Sequence, residues 1–165
     1  MKIGTKSLLF GAHQFLIHPF FVALAWWRLY GFPWDPRLWI AFFVHDLGYF
    51  GSPNMDGEAG KEHPILGAHI MSLLFGQRWL SFCLLHSRYY ANMCCCAPSR
   101  LCYADKLAIC IEPAWLYLPR AWLTGELAEY RAHGATVPGI DNTTAWTWYR
   151  TVQAHTKKYV ALNKY

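Results

Sequence analysis

Four histidines and two aspartates in this chain are of the types and at the places that a metal ion could use. His45 and Asp46 are adjacent in the segment FFVHDLGYFG, residues 42–51, at the end of an apolar run. An ionised carboxylate is costly to bury among apolar neighbours unless a cation pairs with it, and neutral imidazoles complete the ligand shell of a divalent metal. The candidate metal ligands are His18, His45, Asp46, His63, His86 and Asp105.

Apolar residues surround several of these candidate ligands. Leu85 precedes His86, and Leu107 follows Asp105, so both polar side chains belong to segments that we expect to be buried. Side chains from separate helices can converge inside a bundle, which is the usual place for a metal site in an all-α protein. The sequence therefore predicts a metal centre in the core, provided that the helices bring the six groups together.

The chain reads as helical throughout, which predicts an all-α, single-domain helical bundle over residues 1–165. Prolines suited to a first helical turn and Gly-rich breaks delimit the elements. Loops are expected at GFPWDP, at GSPNMDGEAG (residues 51–60) and at ATVPGI. Helices are predicted over 16–31, 36–48, 64–75, 77–90, 98–118, 120–133 and from 141 or 142 to 162.

Each of the first five predicted helices supplies at least one candidate ligand. His18 lies in the first turn of the first helix, and His45 and Asp46 lie in the last turn of the second. His63 opens the third helix, His86 is near the end of the fourth, and Asp105 is midway along the fifth. These placements make convergence on one centre possible, although helix geometry alone does not establish it.

Composition limits the class of protein and of partner. Of the 165 residues, 55% are hydrophobic and only 15% are charged, which excludes disorder and suits one domain with a sizeable core. The net charge of +5 comes from scattered basic residues without a Lys/Arg run. This pattern favours a small anionic ligand over a nucleic-acid polymer. No prediction of oligomeric state follows from it.

One apolar segment and the cysteines bear on localisation. Residues 15–32 contain His18, Pro19 and Arg28, so we expect a buried core helix and no membrane insertion. The six cysteines include three in a row and form no paired C-x-x-C motifs, which argues against disulfides and a structural zinc site. A cytoplasmic setting is expected. Cys94, Cys95 and Cys96 could be packed loop thiols, a soft metal site or a redox sensor.

The order of the candidate ligands resembles the HD-domain superfamily of metal-dependent phosphohydrolases, whose pattern is H…HD…D. His18, His45–Asp46 and Asp105 match that pattern in HPFFVALAWWRLYG, FFVHDLGYFG and YADKL. HPILGAHIM at His63 and LLHSRYYA at His86 look like the additional ligands of dinuclear members. Those members include the HD-GYP phosphodiesterases and the myo-inositol oxygenase-like diiron enzymes. The resemblance covers about residues 13–118, and the helices of 120–163 are expected to pack on that region.

The resemblance implies two divalent transition metals bridged by Asp46, and these metals would lower the pKa of a water molecule that attacks phosphorus. Iron, manganese, cobalt and nickel suit the mixed N/O ligands, and zinc is possible. Two departures argue against cleavage of cyclic dinucleotides. Tyr49 stands where HD-GYP proteins commonly have a lysine, and SRYYA follows His86 in place of their His-Glu pair and Gly-Tyr-Pro turn.

The substrate side of the predicted site is cationic and aromatic. Lys106 and Arg88 are expected to hold phosphate oxygens, and Tyr89 and Tyr90 to line the pocket. His13 is interpreted as lying just outside the ligands, with His18 preferred as the ligand. The predicted function is hydrolysis of a nucleotide or another small phosphate ester. A mixed-valent diiron oxygenase acting on a small organic substrate is the alternative, and a non-catalytic sensory or binding HD protein is a third.

Overall fold

A computed structural model describes residues 1–164 of the chain. Every regular element in that range is helical, which confirms the predicted all-α class. A 3₁₀ helix at Leu47–Tyr49 accompanies the α-helices. The α-helices are α1 Ile3–Phe10, α2 Ile17–Tyr30, α3 Pro36–Val44, α4 Glu58–Lys61, α5 Pro64–Phe75, α6 Gln77–Leu84, α7 Arg88–Met93, α8 Arg100–Ile111, α9 Ala114–Thr124, α10 Glu126–Gly134 and α11 Ala145–Asn163.

The main hydrophobic core lies among α2, α3, α5 and α8. Val22 and Ala25 of α2 are fully buried, and they share a cluster with Phe42 of α3, Met71 of α5 and Leu101 of α8. Burying apolar surface at about 25 cal/mol per Å² is the main force that holds such helices together. These four helices carry or adjoin most of the candidate ligands, so the core also positions the site.

A second hydrophobic cluster joins the C-terminal helices to α8. It contains Tyr117 and Ala121 of α9, Leu127 of α10 and Trp148 of α11. The Tyr149 hydroxyl donates a hydrogen bond of 2.9 Å to the carbonyl of Ile109, which fastens α11 to α8. The residues after 118 therefore build a wall beside the helix that carries Asp105.

The apolar segment at residues 15–32 forms α2, whose buried face includes Val22 and Trp26 while Phe20 and Trp27 remain exposed. Within residues 1–164, none of the helices has the length and apolarity that crossing a bilayer requires. The expectation of a core helix in this segment agrees with its burial.

Two predicted helices end earlier than expected. The helix predicted over 36–48 stops at Val44, and a turn followed by the 3₁₀ helix replaces its last part. The helix predicted over 77–90 is two helices, α6 and α7, separated by residues 85–87. In both places a candidate ligand lies in the break and not in a helix: Asp46 in the first and His86 in the second.

The predicted boundary at residues 118–120 is wrong. Helix α8 ends at Ile111 because Pro113 disfavours helical backbone at Glu112, whose ψ is 131°. Pro119 lies inside α9. The next break falls at Gly125, whose φ of +89° is readily adopted by glycine and rarely by other residues. The helix predicted over 120–133 is therefore the end of α9 followed by α10.

Two helices were not predicted. Helix α1 has no side-chain hydrogen bond at its N-cap and includes Gly4, so its sequence signal is weak. A methyl group at Gly4 would lie 2.2 Å from the carbonyl oxygen of Tyr49, which explains a glycine at this close approach. The four-residue α4 lies inside the loop predicted over 51–60.

Candidate metal centre

The site is built around the turn that follows α3. His45 is the C-cap of that helix, and its Nδ1–H donates a hydrogen bond of 2.9 Å to the carbonyl of Phe42. This bond fixes the tautomer of a neutral ring and leaves the Nε2 lone pair available as a ligand. His45 is 1% exposed and Asp46 is 6% exposed, so both groups reach the site from inside the protein.

A first group of four ligand atoms comes from α2, the turn after α3, and α8. Nε2 of His18 lies 3.0 Å from Oδ1 of Asp105 and 3.3 Å from Oδ2 of Asp46. Nε2 of His45 lies 3.1 Å from the same Asp46 oxygen and 3.7 Å from Oδ1 of Asp105. The four ligand atoms all lie within 4.8 Å of one another and could hold a metal ion.

A second group of three ligand atoms adjoins the first and shares Asp46 with it. Oδ1 of Asp46 lies 3.6 Å from Nε2 of His63 and 3.5 Å from Nε2 of His86. Nδ1–H of His63 donates to the carbonyl of Gly60 at 2.7 Å, and Nδ1–H of His86 donates to that of Cys83 at 2.5 Å. The backbone therefore orients both rings with Nε2 toward Asp46.

The two Nε2 atoms of this second group are only 3.1 Å apart. Because both Nδ1 atoms already donate to carbonyls, two neutral rings direct lone pairs at each other, which is repulsive. A shared proton or a cation between them relieves that repulsion. The three atoms, spaced 3.1, 3.6 and 3.5 Å apart, lie about 2.0 Å from the centre of their triangle, which matches metal–nitrogen bonds of ~2.0–2.1 Å.

The carboxylate of Asp46 faces one ligand group with each of its oxygens. Oδ2 faces His18 and His45, and Oδ1 faces His63 and His86. Oδ2 of Asp46 and Nε2 of His45 are buried, and neither makes a hydrogen bond to any of residues 1–164. Unpaired buried polar atoms are costly. A bound cation would satisfy both, so the residues present fit a metal centre.

Burial and charge pairing act in opposite directions on the pKa values of His45 and Asp46. Burial favours neutral imidazole, but the carboxylates of Asp46 and Asp105 outweigh it and raise the pKa of His45 to about 10. Burial also opposes ionisation of Asp46, yet the neighbouring histidines hold its pKa well below the usual range. For His63, burial and the nearby His86 lower the pKa to about 3, which keeps this ring a neutral ligand.

Two glycines allow α5 to approach the turn that carries His45 and Asp46. A methyl group at Gly67 would lie 2.3 Å from the Val44 carbonyl oxygen, and one at Gly48 would lie 2.1 Å from that of His63. Any side chain at either position would push the two segments apart. The second ligand group therefore depends on backbone contact as well as on the ligands themselves.

The hydrogen-bond network around His13 was not predicted from the sequence, although His13 itself was interpreted as lying just outside the ligands. Nε2 of His13 lies 4.0 Å from Oδ2 of Asp46, and Nδ1 lies 3.3 Å from Oε2 of the buried Glu126. Ser7 and Tyr130 also donate hydrogen bonds to this Glu126 oxygen, at 2.7 and 3.1 Å. Glu126 thus holds His13 against the site from α10.

Tyr49, noted in the sequence as a departure from the HD-GYP pattern, packs on the second ligand group. Its ring stacks on the His63 imidazole with centroids 4.2 Å apart and planes inclined by 8°. It also contacts His13, with centroids 4.9 Å apart. Tyr49 is buried, so it restricts the orientation of both rings.

A cavity of about 570 Å³ opens onto the ligands. Lys106, Arg88 and Tyr89, which were predicted to contact substrate, line it together with Lys61. Tyr90 does not. It lines a separate, smaller pocket between α5 and α6, because Tyr89 and Tyr90 are consecutive on α7 and consecutive helical side chains point in different directions. Of the two tyrosines predicted to contact substrate, only Tyr89 therefore lines the cavity that opens onto the ligands.

The cysteines lie outside this centre. All six are free, and Cys94, Cys95 and Cys96 are exposed after α7. The Cys96 thiol donates to the carbonyl of Cys94 at 3.2 Å, and none of the three lines the cavity. The structure brings the six predicted ligands together without a contribution from sulfur.

Comparison of the chain with protein-family models, with curated proteins and with solved structures finds no match. The resemblance to the HD-domain superfamily therefore stays a prediction, and function has to be inferred from the geometry of the centre and its cavity.

Proposed function

We propose that this protein is a metal-dependent phosphohydrolase with a dinuclear centre, acting on a nucleotide or another small phosphate ester. The observation that supports it most is the carboxylate of Asp46, which faces a separate ligand group with each oxygen. Two-metal centres of this kind serve many enzymes that hydrolyse phosphate esters. The cations that line the adjoining cavity supply the second support.

His18, His45, Asp46 and Asp105 would hold one divalent transition metal, and Asp46, His63 and His86 the other. Imidazole and carboxylate ligands suit iron, manganese, cobalt or nickel, with zinc possible. When bound, such a pair lowers the pKa of water and withdraws charge from phosphoryl oxygens. The buried, prearranged ligands keep the geometry fixed for that chemistry.

Lys106 and Arg88 bind the substrate phosphate in this proposal. Both line the cavity that holds the ligands, and Lys106 directly follows Asp105 on α8. The guanidinium of Arg88 presents paired N–H donors that match phosphate oxygens, whereas the ammonium of Lys106 acts as a compact charge. Together they orient the ester toward Asp46.

His13 is the residue placed to hold a proton for the departing alcohol. Its Nε2 lies 4.0 Å from Oδ2 of Asp46, and its Nδ1 faces the Glu126 carboxylate at 3.3 Å. A carboxylate behind an imidazole fixes the orientation of the ring. His13 also lines the cavity, so its Nε2 is accessible to a bound ester.

The same ligands also suit the alternative, a mixed-valent diiron oxygenase. Lys106 and Arg88 in the cavity favour an anionic substrate and hence the hydrolase. The test is to load the protein with manganese, cobalt or iron and to measure phosphate release from nucleoside mono-, di- and triphosphates and from simple esters. Release from at least one ester supports the proposal. No release, together with oxygen uptake and a mixed-valent iron signal, would replace it with the oxygenase.

A further inference from the structure

One face of α8 continues from the ligands into the cavity. Asp105, Ile109 and Glu112 are spaced by four and three residues and all line it. With a rise of ~1.5 Å per residue, this wall extends about 10 Å beyond Asp105. A phosphate group alone would fill only the part nearest the ligands.

One face of α11 forms a second wall of the cavity. Trp148, Val152, His155 and Tyr159 are spaced by four, three and four residues, and all line the cavity. This regular spacing shows that a whole helical face, and not a single side chain, is turned toward the space beside α8.

Helices α8 and α11 run antiparallel, which sets the order of residues along the cavity. Tyr159 lies near Tyr103, with ring centroids 6.1 Å apart, at the N-terminal side of Asp105. Tyr149 donates to the carbonyl of Ile109, on the other side of Asp105. Trp148 and Val152 therefore line the end that is remote from the N-terminus of α8.

The cavity has cations beside the carboxylates of Asp46 and Asp105 at one end, and its other end is apolar. Near the ligands, the Arg88 guanidinium lies 5.3 Å from the centre of the Tyr159 ring, and Lys106 is close by. The remote end is lined by Ile109, Val152 and the side chains of the segment before α11, Val137 and Ile140. Glu112 adds no free charge there, because it is paired with Arg120.

The remote end also contains an unsatisfied hydrogen-bond donor. Trp148 is 3% exposed, and its Nε1–H has no hydrogen-bond partner within residues 1–164. Gly134 packs closely beside it, since a methyl group there would lie 2.8 Å from Nε1. A buried N–H without an acceptor is rare in native proteins, so this donor points to a ligand that supplies one.

We propose that the substrate is a phosphate ester whose alcohol carries an apolar ring with a hydrogen-bond acceptor. The ring occupies the end lined by Trp148, Val152 and Ile109, and the acceptor takes the Trp148 N–H. The phosphate lies at the ligands with Lys106 and Arg88. This inference rests on the proposed hydrolase function for the phosphate end only, and it adds the class of organic group.

The test compares ligands that differ only in the organic group. The metal-loaded protein is titrated by calorimetry with propylphosphonate, phenethylphosphonate and pyridylethylphosphonate, none of which can be hydrolysed. Burial of the phenyl ring should tighten binding over propyl by on the order of ten- to a hundredfold. An acceptor nitrogen that reaches the Trp148 N–H should add roughly a further three- to tenfold.

Two variants, each with a control, test where in the cavity the ring and its acceptor bind. Val152→Trp should fill the remote end and bring the phenethyl-to-propyl affinity ratio to about one, whereas Ala154→Trp, on the exposed face of the same helix, should keep it. Trp148→Phe keeps a ring but should abolish the preference for pyridyl over phenyl. Trp146→Phe, a matched change at an exposed tryptophan, should retain that preference. Thermal melting checks that each variant is folded.

Equal affinity of the folded wild type for the three phosphonates would overturn this inference, even if phosphate esters are hydrolysed. A preference that survives in both Val152→Trp and Trp148→Phe would also overturn it, because the ring would then bind elsewhere. Failure of the hydrolase proposal is separate. It would appear as no phosphate release from phenethyl or propyl phosphate, while the phosphonate affinities still report where the ring binds.

Discussion

Asp46 contributes to both ligand groups, so its loss should have a larger effect than the loss of any one histidine. In Asp46→Ala, both groups lose an oxygen ligand. His63 and His86 also lose the negative charge of the carboxylate that they face. We expect metal affinity at both positions to fall by at least about a hundredfold, and turnover to disappear. Metal content after gel filtration, measured by mass spectrometry, checks the first expectation.

The matched control is Asp141→Ala, which removes an exposed carboxylate that belongs to neither ligand group. It should retain the metal content of the wild type. If Asp46→Ala also retained two metals per chain, Asp46 would not be their shared ligand.

Lys106 should affect substrate without affecting the metals. It lines the cavity but belongs to neither ligand group. Removing one charge-assisted hydrogen bond to phosphate in Lys106→Ala should cost about 1.5–3 kcal/mol, or roughly ten- to a hundredfold in kcat/KM, with metal content unchanged. Steady-state phosphate release measures this.

Lys158→Ala, which removes an exposed lysine on α11, should leave kcat/KM unchanged. If Lys106→Ala behaved in the same way, Lys106 would lie outside the phosphate position and Arg88 would be the better candidate.

Metal binding at pH 7 should release protons, because a ligand histidine must be neutral to bind. Asp46 and Asp105 raise the pKa of His45 to about 10 in the metal-free protein, above its ordinary value of 6.5. Protonated His45 therefore stabilises the metal-free fold fully below pH 6.5, and that stabilisation is lost as pH rises through 10. Metal affinity should rise over the same range, as protons compete less.

Calorimetry in two buffers of different ionisation enthalpy counts the protons released. We expect the release of at least about one proton per chain at pH 7. An uptake of protons, or no exchange at all, would contradict the charge state that the geometry assigns to His45.

At the scale of residues, the ligands were predictable because polar side chains interrupt apolar runs, as at His45–Asp46 and His86. Glu126 was not, because it reaches His13 from 113 residues further along the chain. Its neighbours in sequence give no sign of that contact. Only the packing of α10 beside α1 and the Ser7 hydroxyl reveals why this carboxylate is buried.

At the scale of elements, the approach of α5 to the end of α3 assembles the second ligand group. Gly67→Ala would place a methyl group 2.3 Å from the Val44 carbonyl oxygen and 2.9 Å from Cα of His45. The helices must separate, which should destabilise the fold by about 1–3 kcal/mol and weaken metal binding at His63 and His86. Chemical denaturation and metal titration measure the two effects.

Leu73→Ala is the control on the same helix, since Leu73 is 87% exposed. It should change neither stability nor metal binding appreciably. Wild-type metal affinity in Gly67→Ala would show that the close approach at Gly67 does not set the positions of the ligands.

Helix type was predictable from the sequence, but several helix ends were not. Prolines at 36 and 64 correctly mark the starts of α3 and α5. Pro119, in contrast, lies within α9, where packing on the C-terminal cluster outweighs the lost hydrogen bond. The turn at His86 contains neither Gly nor Pro, so the sequence did not predict it. It forms where the Nδ1–H of His86 and the backbone N–H of the same residue both reach the carbonyl of Cys83.

At the scale of the whole molecule, the proposed centre lies where the two main hydrophobic clusters meet. The first cluster supplies α2, α3, α5 and α8, which position most of the ligands. The second supplies α9, α10 and α11, which form the far wall of the cavity and the support for His13. In the proposed function, residues 13–118 hold the metals, and the C-terminal helices contribute most of the surface for the organic group.

The most direct test of the dinuclear centre is anomalous diffraction from crystals of the protein loaded with manganese. We expect two peaks about 3.5–4 Å apart, the usual separation in two-metal sites. One should lie among His18, His45, Asp46 and Asp105, and the other among Asp46, His63 and His86. A single peak, or peaks away from Asp46, would contradict the two-metal centre on which the proposed function depends.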